Sequence, residues 1–82
     1  MEKYTVIRQD WMESERGWGM RPDGHTLHLT SADRDAYVKA YWDRMPDEVP
    51  DEYSAPYGDP VSVKVDKSVY QKIKASKNGI WG

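Results

Sequence analysis

Two histidines, a run of carboxylates and a tail of lysines are the residues here whose types and spacing could do chemistry. His25 and His28 are three apart in a segment that alternates like a strand, so they point to opposite faces. That spacing argues against a shared metal site, and no cysteine is present to complete one. Either imidazole could serve as a general base. The simpler reading is a pair of ordinary sheet histidines. Nucleophile-elbow, phosphate-loop and zinc-helix patterns are absent. Gly17-Trp18-Gly19 lacks the third glycine and following helix of a dinucleotide site. Neither catalysis nor a cofactor is expected.

The carboxylates are more suggestive. Asp47, Glu48, Asp51 and Glu52 fall two and two between prolines, with Tyr53 and Tyr57 beside them. Pro46-Asp47-Glu48-Val49 is followed by Pro50-Asp51-Glu52-Tyr53, a tandem four-residue repeat. Proline lowers the entropy lost on binding, carboxylates engage Arg and Lys, and tyrosine is a favoured interface anchor. These residues, with Trp18 or Trp42 nearby, make a candidate surface for a protein partner with a basic face. The competing candidate is basic. Lys64, Lys67, Lys72, Lys74 and Lys77, near Tyr70 and Trp81, could meet nucleic-acid phosphates. No arginine follows Arg44, so that end offers no bidentate contact.

Charge follows this division. Overall, 12 Lys and Arg face 14 Asp and Glu, a net charge of −2. Residues 1–42 carry −1, residues 43–60 carry −5 and residues 61–82 carry +4. A near-neutral total thus hides an acidic middle and a basic end.

A chain of 82 residues allows one domain, spanning 1–82, with a thin core. Val, Ile and Leu total only 12, and Phe is absent. Four Trp and six Tyr supply the missing apolar area, and the small net charge opposes disorder. The core is expected to be built from Trp, Tyr and Val. No segment reads as a secretory signal or membrane span. The absence of cysteine fits a reducing compartment, so a cytoplasmic location is expected.

The elements must position these groups. Tyr4–Met12 reads as a strand, with Tyr4, Val6 and Met12 on one side, Ile7 and Trp11 on the other, and both sides partly covered. A turn is expected over Glu13–Gly17. Arg21-Pro22-Asp23-Gly24 carries the strongest turn signature, which predicts a hairpin centred there. The next strand, His25–Thr30, alternates. Thr30 can cap a helix, with Asp33 three residues on. Its stripe is Tyr37, Val38, Tyr41, Trp42 and Met45, and Pro46 ends it. Residues 46–60 read as a loop. Val61–Val65 alternates as a strand, and Asp66–Gly79 reads as a second helix capped by Asp66 or Ser68. Gly79 is expected in the left-handed position, with Ile80 or Trp81 folding back.

The expectation is an α+β domain of three to four antiparallel strands on two helices, in the order β-β-(β)-α-loop-β-α. In function it should be a small protein-binding module. Its size and composition suit a stoichiometric inhibitor or adaptor of the phage or mobile-element accessory type. A nucleic-acid-binding module is the alternative. An exposed strand edge would also permit a homodimer.

Overall fold

A computed structural model describes residues 2–15, 19–46, 48 and 52–82. The elements are β1 (Lys3–Glu15), β2 (Met20–His28), α1 (Ser31–Arg44), β3 (Glu52–Pro56), β4 (Val61–Asp66), α2 (Lys67–Ala75) and β5 (Ile80–Trp81). All five strands join one curled antiparallel sheet, so the α+β class holds with more strands than expected.

The central element is β1. One of its edges pairs with β2, and the other pairs with β4 over Lys3–Arg8 and with β3 over Trp11–Glu15. A two-residue strand, β5, adds to the outer edge of β2 at Thr26 and Leu27.

Three sequence expectations are corrected here. β1 continues to Glu15, so Glu13–Glu15 of the expected turn are strand, and the rest of that turn lies outside the described residues. Arg21–Gly24 lies inside β2, paired with β1 as far as Met20, rather than at a hairpin tip. Trp11 pairs with Gly24 and Met12 with Pro22, which leaves Asp23 as an extra residue. A missing N–H, a small polar side chain and a glycine at φ 128° serve a bulge as well as a turn. Third, the expected loop contains β3. A 13-residue central strand leaves backbone groups unpaired unless both edges find partners. Tyr53-Ser54-Ala55 supplies them, and Pro56 is tolerated at the end of an outer strand.

The helices lie on opposite faces of the sheet, as adjacent residues Leu27 and His28 show. Leu27 joins Val6 and Ile73 in an apolar cluster with Val63, Val65, Val69, Tyr70 and Ile80 under α2. Tyr4 stacks on Tyr70 at 4.4 Å beside it. On the other face, His28 and Trp11 meet Tyr37 and Tyr41 of α1. The two sides expected for the first strand are therefore both covered, with the assignment that alternation predicts.

Both predicted caps form. Thr30 accepts from the Asp33 backbone N–H at 3.1 Å, and Asp66 accepts from that of Val69 at 3.1 Å. The Asp66 carboxyl also accepts from Ser68 at 2.8 Å, and these bonds hold its pKa below the usual value.

The second helix is shorter than predicted, ending at Ala75 because the chain must turn back to form β5. Gly79 is at positive φ as expected, and Asn78, at φ 69°, precedes it there. Gly79 (φ 153°) meets a further demand: a Cβ there would overlap the His28 ring and the Leu27 carbonyl. On α1, Trp42 sits at the rim and is 39% exposed, although its spacing suggested core.

Candidate functional site

The face under α1 is polar and aromatic. Gln9, Trp11, Thr26 and His28 are fully buried there. Trp11 Nε1 donates to Thr26 Oγ1 at 2.8 Å, Thr26 Oγ1 lies 2.8 Å from His28 Nε2, and His28 Nδ1 lies 2.6 Å from the Asn78 carbonyl oxygen. A carbonyl only accepts, so Nδ1 carries the proton and Nε2 accepts from the Thr26 hydroxyl. Each member has its partner and the imidazole is neutral. Protonating His28 would leave the Thr26 hydroxyl hydrogen without an acceptor. Burial is the main force holding the His28 pKa below its ordinary value. Arg34 adds to this, against the raising effects of the Asn78 carbonyl and Asp33.

A stability prediction follows from this depressed pKa. The unfolded chain takes up a proton near pH 6.5 and the folded chain resists it. Stability from His28 is complete above about pH 6.5 and is lost as pH falls through the lower folded value. Thermal melts between pH 7.5 and 5.5 should show a falling Tm in the parent and a flatter profile in His28→Gln. Parallel profiles would contradict the assignment.

Gln9 closes a gap in the sheet edge. Between β3 and β4 the chain bulges away from β1 at residues 57–60. The Tyr57 backbone N–H still bonds the Asp10 carbonyl at 2.9 Å. Gln9 Nε2 reaches the carbonyls of Asp10 (2.9 Å), Tyr57 (3.3 Å) and Gly58 (3.2 Å), while Oε1 accepts from Arg34 Nε at 2.8 Å. Carbonyls on one side and a guanidinium on the other allow one amide orientation.

The opposite face carries an open groove. On the side that α2 covers at Val6 and Leu27, alternation continues to Arg8, Asp10 and Met12 on β1 and to His25 on β2. These residues, with Pro22 and Tyr57, line a groove of about 280 Å³. Arg8 Nε bonds Asp10 Oδ1 at 2.9 Å, so the charged pair neutralises itself beside an apolar floor. Tyr57 is 59% exposed at its margin.

This arrangement locates part of the acidic candidate. Trp18, Asp47 and Asp51 lie outside the described residues. Glu48 is exposed, and Glu52 is placed by its backbone pairing with Glu15 at the start of β3. Tyr53 is half-buried with its ring 6.4 Å from that of Trp42. From Tyr53 a line of rings runs through Trp42, Tyr41 and Trp11 to Trp81. Tyr41 also donates to the Ser54 carbonyl, and Ser54 donates to Asp23 at 2.5 Å. β3 is thereby tied to α1 and to the β2 bulge.

The lysines do not form one surface. All five are exposed. Lys64 pairs with Thr5 and stands on the α1 side of β4, whereas Lys67, Lys72 and Lys74 belong to α2 on the far side of the sheet. Lys77 lies past the helix and meets Arg44 at a small cavity.

His25 and His28 do lie on opposite faces. Among the described residues, no three His, Asp or Glu side chains gather closely enough to hold a metal, and no helix is long and apolar enough to cross a membrane. Sequence reasoning missed the groove residues Arg8, Asp10 and Pro22, and it weighed His25 only as a possible base. The alternation through Arg8, Asp10 and Met12 was the available signal.

The fold and its surfaces define a small α+β domain with a curled five-stranded sheet between two helices. Set against protein-family models, curated proteins and solved structures, the chain finds no match in any of the three.

Proposed function

We propose that this protein is a binding module that grips a basic segment of a protein partner along its β3 edge. The observation that carries this reading is the pairing of β3 with β1. It anchors one end of the acidic segment to the sheet, with an exposed ring on each side of the edge. Trp42, on α1, packs edge-on against Tyr53, and Tyr57 lies at the groove on the other face. Arg or Lys side chains of the partner would meet Asp47, Glu48, Asp51 and Glu52, and the aromatic faces would hold their stems and charges. Binding of a preformed edge loses less conformational entropy than binding of a free loop.

Selection from a displayed random-peptide library tests this reading. Bound sequences should be enriched in Arg and Lys, and their affinity should fall as salt rises. Changing Asp47, Glu48, Asp51 and Glu52 to amides, or Tyr57 to Ala, should each weaken the selected peptides about tenfold or more. Both variants should keep the parental Tm. Selection without basic enrichment, or binding indifferent to both variants, would remove the proposal.

A further inference from the structure

Beside α1, on the side of the sheet away from the groove, Tyr37, Ala40, Arg44, Lys77 and Asn78 enclose a cavity of about 150 Å³. Its chemistry is one-sided. Its lining includes two cationic residues, Arg44 and Lys77, and two neutral polar ones, Tyr37 and Asn78. Among the described residues no carboxylate lines it. Two cationic residues beside one small space repel each other, and an anion seated between them would reverse the sign of that interaction.

The walls are also held in place. Tyr37 is packed against Trp11 and His28, with ring centroids at 6.2 and 5.1 Å. Asn78 is fixed in the left-handed conformation, its carbonyl bonded by His28 Nδ1 at 2.6 Å. Arg44 closes the last turn of α1, where its charge also suits the helix dipole. The loop after α2 brings Lys77 to it across the edge of the sheet. Site and ligand match in charge, with two positive groups for a dianion. A guanidinium fork and a point-charge ammonium are the usual partners of phosphate oxygens.

We infer that the cavity between α1 and the α2–β5 loop is a binding site for a phosphoryl dianion, either free phosphate or a phosphate monoester. Arg44 supplies paired donors, Lys77 supplies compensating charge, and Tyr37 and Asn78 offer neutral donors at the wall. Both cations are exposed, so water competes and affinity is modest, with a Kd of about 1 mM.

The test is a ¹H–¹⁵N NMR titration of the full chain at constant ionic strength, with inorganic phosphate, O-phosphoserine and sodium chloride as separate arms. The amides of Arg44, Lys77 and Asn78 should shift and saturate with either phosphate compound and not with chloride. Tighter binding of phosphoserine would identify the ligand as an ester, and tighter binding of phosphate would identify it as the free anion. Arg44→Gln and Lys77→Gln should each weaken binding about tenfold, while Lys72→Gln on the far face should not. All three positions are exposed, and an unchanged spectrum without ligand verifies each fold. Three results would overturn the inference: no saturable shift, equal shifts with chloride, or equal loss in Lys72→Gln.

Discussion

Trp11→Ala should remove about 3–5 kcal/mol of stability, because a large fully buried ring is replaced by a cavity its surroundings cannot fill. Trp11 is 1% exposed and touches Tyr37, Tyr41 and Trp81, with its closest ring centroid 5.0 Å away. Three elements, α1, β1 and β5, meet on that single side chain. Small domains have only about 5–15 kcal/mol in total, so urea denaturation should show a large fall in midpoint. Trp11→Phe separates two contributions. It keeps much of the ring contact and loses the indole N–H to Thr26, which should cost about 1 kcal/mol from the hydrogen bond in addition to lost packing. A loss below about 1 kcal/mol in Trp11→Ala would mean that the α1 face contributes little to the fold.

Gln9→Leu should be nearly as costly, at about 2–4 kcal/mol, for a different reason. The volumes are similar, so little cavity forms. What is lost is a side chain that bridges the break between β3 and β4. The carbonyls of Tyr57 and Gly58 lose their Gln9 donor and Arg34 Nε loses its acceptor. Arg34 retains Asp35 at 2.8 Å and some access to water, which keeps the cost below that of a wholly buried cation. Gln9→Glu would keep the Arg34 contact but turn a carboxylate toward carbonyl oxygens, and it should also destabilise. Hydrogen exchange gives the sharper reading. The Tyr57 amide, bonded to the Asp10 carbonyl, should exchange faster in Gln9→Leu than the β1–β2 amides do. Uniform acceleration across the sheet would show that Gln9 supports global stability and not this edge. If the edge loosens selectively, peptide binding along β3 should weaken with it.

Much of the local structure was legible in the residues. Thr30 and Asp66 mark helix starts because a short side-chain oxygen satisfies an orphan N–H, whatever the rest of the chain does. The alternation of Val61–Val65 and the faces of β1 follow from the two-residue period of a strand. The opposition of His25 and His28 follows from the same rule. These features depend on neighbours in sequence, and such neighbours are always present.

Partner choice and supporting contacts were not legible. Pro22-Asp23-Gly24 signals a departure from regular backbone, but a turn and a bulge use the same residues. Only the length of β1, which holds β2 alongside it back to Met20, makes it a bulge. Likewise, Tyr53-Ser54-Ala55 has weak strand character, and it becomes β3 because β1 offers an unfilled edge. Gln9 and His28 read as ordinary polar strand residues. Their roles come from Arg34, Thr26, Asn78 and the carbonyls of Tyr57 and Gly58, which fold in from distant parts of the chain. Arg44 and Lys77, 33 positions apart in the sequence, share a cavity only after the α2–β5 loop crosses the sheet edge. The sequence by itself determined the α+β class, the caps, the strand faces and the blocks of charge, because those rest on short-range sterics and composition. Tertiary structure decided which edges pair, which polar groups are satisfied and which charges meet, because each of those needs a second segment to arrive from elsewhere.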